Sequence, residues 1–219
     1  MAKKQVVVIG LGRFGSGVAR SLYNLGHDVL GMDVNEDRVQ AMMGQVSYPV
    51  AGNATNENVL KELGVADYDA AVVSVGSDVP GSVMACVLLK TMGLGYIVAR
   101  ATNELHGITL ERIGVDKIIH PESEMGVRLA HNLFNPNLHE YLEVAPNFGL
   151  SRMNVPEQYN NKTLGELGFS NPRDKYGLAV LAINRGKDIT LNPDIDEKLL
   201  AGDTLVLAGR DDLLEGLQS

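Results

Sequence analysis

Six residues near the start are the ones most ready for chemistry. Gly10-Leu11-Gly12-Arg13-Phe14-Gly15 spells GxGxxG, directly after the apolar run Val6-Val7-Val8-Ile9. Following a strand and opening a helix, the glycines have separate tasks. Gly10 allows the tight turn, Gly12 lets a diphosphate approach the backbone, and Gly15 lets helix pack on strand. The unpaired N–H groups and dipole of the new helix favour phosphate. Asp33, roughly 20 residues further on, closes the next apolar run. A carboxylate there accepts hydrogen bonds from ribose hydroxyls and repels a 2′-phosphate, which argues against NADP. The alternative is that the glycines serve only as turns.

Two more loops fall at strand ends, where open α/β sheets bind ligands. Gly52-Asn53-Ala54-Thr55 follows the third run and Gly76-Ser77 the fourth. They should border the base and ribose. Asp67 either reads the base or is a solvated loop aspartate. Arg13 either grips phosphate oxygens in bidentate fashion, favouring ADP or ATP, or is a solvated helix arginine. Arg100 ends the fifth run and aims at the same crevice or at a neighbouring subunit. Glu122, in His120-Pro121-Glu122, either meets a cation such as Mg²⁺ beside a polyphosphate or is a helix-start carboxylate.

Groups to carry out a reaction are harder to find. The histidines (His27, His106, His120, His131 and His139) form no motif with a nearby carboxylate. Cys86 lies in the apolar stretch Val83-Met84-Ala85-Cys86-Val87-Leu88-Leu89 and reads as a buried thiol. No HxxxH, CxxC, GxSxG or Walker pattern occurs.

The elements that must position these residues follow a regular alternation. Apolar runs at 5–9, 28–32, 48–51, 70–75, 96–101 and 117–120 read as strands. Helices are expected at 14–25, 36–43, 56–63, 79–92, 104–113 and 123–134. Gly26, Gly64, Gly93 and Gly114 stand where left-handed helix stops belong. Asn35 and Asn56 suit N-caps, and Pro80 suits a first turn. Strand–helix repeats of this kind imply an α/β, Rossmann-type, doubly wound parallel sheet. Asn135-Pro136-Asn137 breaks the pattern. Beyond it, strands are expected at 139–145, 150–155, 176–184, 187–191 and 204–208, with a hairpin at Arg185-Gly186. Helices are expected at 163–167 and 211–217. The division is therefore 1–134, a nucleotide-binding domain, and 135–219, a small α+β C-terminal domain.

Composition narrows the function classes. The 219 residues carry 19 Lys+Arg against 27 Asp+Glu, a formal net charge of −8. No basic field is available to displace counterions, so nucleic acid is not expected as a partner. One cysteine suits a reducing compartment. No apolar run approaches the roughly 20 residues of a membrane span. A cytoplasmic protein is expected, reaching any membrane process through a partner.

Together these stretches resemble the KtrA/TrkA-type regulatory subunits of bacterial potassium uptake systems, the RCK or KTN domain family. The likeness rests on Val8 through Gly15, Leu25-Gly26-His27-Asp28-Val29-Leu30, Gly52-Asn53-Ala54-Thr55, and Ile113 through Glu122. Glu124-Met125-Gly126 and Lys175-Tyr176-Gly177 also match. The resemblance implies a homodimer that builds a ring, commonly an octamer, beneath a membrane-embedded potassium channel or transporter. It implies ATP/ADP, or NAD/NADH, in the first lobe, with Arg13 on terminal phosphates, Glu122 near a cation and Asp33 on ribose. It also implies cyclic di-AMP in the second lobe, near Asn171 and Arg173. Where Asn53 stands, many relatives carry Asp. The competing expectations are an NAD-dependent oxidoreductase with a small second domain, and a nucleotide sensor for some other partner.

Overall fold

The computed structural model describes residues 2–133, 138–169 and 178–218. Contacts divide the chain into two compact units, Met1–Pro121 and Glu122–Ser219.

In the first unit, six parallel strands alternate with helices. The strands are β1 (Gln5–Ile9), β2 (Asp28–Asp33), β3 (Tyr48–Ala51), β4 (Ala70–Val73), β5 (Ile97–Arg100) and β6 (Lys117–Ile119). The helices between them are α1 (Arg13–Asn24), α2 (Glu36–Gln40), α3 (Glu57–Glu62), α4 (Val79–Thr91) and α5 (Glu104–Arg112). The sheet order is β3-β2-β1-β4-β5-β6, so the chain reverses direction of travel between β1 and β4. Helices on both faces explain why the strands read as continuous apolar runs. Val7 and Ile9 enter one core with Leu30, Met32, Val73 and Leu89, while Val6 and Val8 enter another with Val29, Ala19 and Val39.

Local signals fix most element ends. Asn35 and Asn56 cap α2 and α3 through side-chain oxygens. Gly26, Gly64, Gly93 and Gly114 all adopt positive φ after helix ends. Asp78, rather than Pro80 alone, starts α4, accepting from Gly81 N–H at 3.0 Å. Two details depart from expectation. α2 ends at Gln40, because Met42, Met43 and Gln45 turn back through i→i+3 bonds toward Gly44. A 3-10 turn at Val65–Asp67 precedes β4.

The second unit opens with α6 (Pro121–Asn132), which continues from the first. Its strands are β7 (Leu138–Ala145), β8 (Phe148–Asn154), β9 (Leu178–Arg185), β10 (Asp188–Leu191) and β11 (Thr204–Arg210). They form an antiparallel sheet in the order β10-β9-β11-β8-β7. Short helices α7 (Leu164–Leu167) and α8 (Asp211–Glu215) complete it. The hairpin turns at Gly186-Lys187, with Arg185 paired to Asp188. One sheet face is buried: Ser151 and Met153 of β8 alternate with exposed or half-buried neighbours, as do Leu205 and Leu207 of β11. Asn135-Pro136-Asn137, Asn171, Arg173 and Lys175-Tyr176-Gly177 lie outside the described residues.

Candidate functional site

A cleft of about 480 Å³ opens at the carboxyl ends of β1, β2, β4 and β5. Sheet order decides its place, since β1 separates β2 from β4 and the loops on either side diverge there.

The glycine loop forms its floor. Gly10 has φ +91, and its N–H donates to Met32 O at 2.7 Å. Gly12 starts α1 with no side-chain cap, and a Cβ there would meet nothing within 4 Å. The space above it is open, and α1 carries no acidic residue in its first turn to repel an anion. Gly15 is the reverse case. A Cβ there would overlap Gly10 O and Ser74 Oγ. It is a packing glycine, and neither it nor Phe14 lines the cleft.

Asp33 has a second task that its sequence position does not show. Its side chain is 4% exposed. Oδ2 accepts from Leu11 N–H at 2.7 Å, and Oδ1 accepts from Asn35 N–H at 2.9 Å. Arg38 Nη1 reaches Oδ2 at 3.3 Å. The carboxylate thus ties the glycine loop to the start of α2 while facing the cleft. Opposite it, Ser74 Oγ donates to Gly10 O at 2.5 Å, with Ile9 O at 3.2 Å. This serine ends the run Ala70-Ala71-Val72-Val73, and its polarity there was the available signal.

The remaining loops meet as expected. Asn53, Ala54, Thr55, Gly76 and Ser77 line the cleft. Asn53 Oδ1 accepts from Thr55 N–H and Oγ1 at 2.9 and 2.8 Å, so its carbonyl shapes the loop. Arg13 stands exposed at the mouth. Arg100 lies over Gly76, with Nη1 2.6 Å from where a Cβ would sit. Arg13, Arg38 and Arg100 share the lining with Asp33 and Asp78. Val34, Arg38, Asp78, Gly81 and Ala85 also contribute, and sequence reasoning missed them. Arg38 was legible in part, as a basic residue in the helix that follows Asp33.

Asp67 and Glu122 are exposed carboxylates, and Cys86 is the buried thiol that was expected. Asp67 is exposed in its 3-10 turn and does not line the cleft. Glu122 is exposed in the first turn of α6, within the second unit. Cys86 is buried, which pushes its thiol up to about 12, so it is inert at neutral pH. Among the described residues, no group of three or more His, Cys, Asp or Glu side chains is placed to hold a metal ion. The described lining contains no His, Lys, Tyr, Cys or Glu. No described helix is long and apolar enough to cross a membrane.

Fold and cleft define a Rossmann-type nucleotide-binding fold followed by a small antiparallel domain. Residues 6–121 match the TrkA-N domain and residues 153–219 the TrkA-C domain. The chain belongs to this TrkA-N/TrkA-C family. It is 36% identical over 206 residues to Ktr system potassium uptake protein A of Bacillus subtilis (strain 168), covering 94% of this chain and 91% of that one. It is 34% identical over 211 residues to the Vibrio alginolyticus protein of the same name, covering 96% and 94%. Among solved structures, the GsuK channel bound to NAD superposes with a TM-score of 0.63 at 19% identity, covering 97% of this chain and 38% of that one. GsuK bound to ADP gives 0.53 at 18%, covering 62% and 36%. The chain thus spans well under half of those channel chains, and they show the fold.

Proposed function

We propose that this chain is the nucleotide-sensing regulatory subunit of a potassium channel or transporter, and not an enzyme. The observation that carries the reading is the open diphosphate cradle over Gly12, with Arg13 exposed at its mouth. Two relatives of matching length, at 34–36% identity, are named as Ktr potassium uptake proteins. Under this reading 1–134 is the sensing lobe and 135–219 the regulatory lobe.

ATP or ADP is the proposed ligand, with NAD/NADH as the alternative that the same floor accommodates. Gly10 and Gly12 take the diphosphate and Asp33 a ribose hydroxyl. Asn53, Ala54 and Thr55 border the base. Arg13, Gly76 and Arg100 read the outer phosphates. A hard cation such as Mg²⁺ would be held chiefly by phosphate oxygens and water, with Glu122 supplying a carboxylate. Cyclic di-AMP is proposed for the second lobe, with Asn171 and Arg173 as its contacts. Homodimers building a ring, as an octamer, would hold the chain at the cytoplasmic face of its membrane partner.

Such a switch needs differential affinity, since a ligand that binds two states equally shifts neither. A γ-phosphate gripped by Arg13 in one state supplies it. Coupling of about 1–3 kcal/mol per site is typical, and a ring sums over sites.

A thermal-shift panel with ATP, ADP, NADH, NAD and cyclic di-AMP tests the ligand, because binding to the folded state raises its melting point. Arg13→Ala should weaken ATP more than AMP; equal loss would mean that Arg13 does not read terminal phosphates. Copurification tests the partner. Repeated pull-downs without any potassium-transport membrane protein would overturn the regulatory reading. Hydride transfer to a substrate would restore the oxidoreductase.

A further inference from the structure

Among the described residues, the cleft lining contains no aromatic side chain. A nucleotide base entering it therefore meets no ring to stack on. At the ribose end the wall is Met32, Asp33, Val34 and Arg38, and Arg38 supplies its planar, delocalised group. The other two arginines stand elsewhere, Arg13 within the glycine motif at the start of α1 and Arg100 over Gly76.

Arg38 is held in a definite way. Its backbone N–H donates to Asn35 Oδ1 at 3.1 Å, which fixes the start of α2. Its Nη1 donates to Asp33 Oδ2 at 3.3 Å, and Asp33 is itself pinned by Leu11 and Asn35. Yet the Arg38 side chain is 52% exposed. Hydrogen bonds to a guanidinium lie in its plane, so an edge-on anchor leaves its faces available. Its charge is already met by Asp33, which suits a stacking surface better than a point charge for phosphate.

We propose that Arg38 is the base-reading residue of the cleft, its guanidinium anchored edge-on by Asp33 and stacking on the face of a bound adenine. This rests on the reading of the cleft as a nucleotide site. It adds a specificity determinant: purines, with the larger π-face, are preferred over pyrimidines. Lysine would not substitute, because an ammonium has no plane to stack.

The test is calorimetric titration of the full chain with ADP and UDP, which share ribose and diphosphate, and with NADP. Wild type, Arg38→Ala and Arg38→Lys are compared, with the melting temperature of each ligand-free protein. Arg38→Ala should lose about five- to tenfold in ADP affinity, the scale of a partly desolvated cation–π contact, and less than about twofold for UDP. Arg38→Lys should behave like Arg38→Ala toward ADP. Equal losses for ADP and UDP, with or without a fall in melting temperature, would overturn stacking in favour of a structural role through Asp33. Full rescue by lysine would overturn it in favour of charge, and a loss confined to NADP in favour of 2′-phosphate reading. Wild-type protein that binds none of ADP, UDP, ATP and NAD would overturn the nucleotide reading itself, and this inference with it.

Discussion

Replacing Asp33 by asparagine separates two roles that the position combines. The change is nearly isosteric, so no cavity forms. The carboxylate accepts Leu11 N–H on Oδ2 and Asn35 N–H on Oδ1. An amide offers one oxygen and one NH₂, so either orientation sets a donor against a buried backbone donor. An unsatisfied buried N–H costs about 1–3 kcal/mol, and exchanging a charged for a neutral acceptor costs about 1 more. The Arg38 ion pair adds little, because that side chain is half exposed. The sum is about 2–4 kcal/mol in the protein without ligand. At about 2–4 °C per kcal/mol for a chain of this size, the first-unit transition should fall by roughly 5–15 °C. Scanning calorimetry of ligand-free wild type and Asp33→Asn measures it. Melting curves that coincide would refute the reasoning, and would leave Asp33 as a ligand contact with no role in holding the glycine loop.

Further outcomes follow from the same geometry. Gly12→Asp should abolish ADP binding while leaving the ligand-free melting point near wild type, since its Cβ meets nothing; Gly15→Ala should lower that melting point, since its Cβ overlaps Gly10 O and Ser74 Oγ. Paired calorimetry and melting of the two variants checks both. Gly76→Ala should displace the Arg100 guanidinium and weaken ADP more than AMP, read by titration. His106 is 2% exposed, and burial first, then the neighbouring His120, hold its pKa below 6.5. The unfolded chain therefore binds the proton more readily. Its contribution to stability is full above 6.5 and is lost as pH falls below 6.5 toward the depressed folded value. His106→Gln should flatten that part of the melting-temperature profile, and an unchanged slope would exclude His106 as its source. Cys86 should react with thiol reagents at neutral pH only on unfolding, as its thiol is pushed up to about 12; fast labelling of native protein would contradict its burial.

What could be read from the sequence was what short-range chemistry dictates. Gly26, Gly64, Gly93 and Gly114 end helices because a left-handed residue closes a helix locally, and glycine takes it without strain. Asn35 and Asn56 cap because an amide reaches its own helix start. The GxGxxG loop was legible for the same reason: turn, open backbone and close packing are all decided within six residues. The alternation of strand and helix, with apolar runs buried on both faces, carried the doubly wound class, and the hairpin at Gly186 carried part of the second sheet.

The rest depended on which strands became neighbours. Ser74 meets Gly10 because β4 pairs with β1, a choice made by packing across more than half of the unit. Arg100 reaches Gly76 because β5 pairs with β4. Asp33 was expected as a ribose acceptor, but its hold on Leu11 exists only once β2 lies beside β1. Local propensity is blind to such contacts, since their free energy arises from surfaces brought together by the whole sheet. The sequence by itself determined that open space would lie over Gly12. Only the tertiary structure decided which side chains hold that space in shape and which arginines surround it.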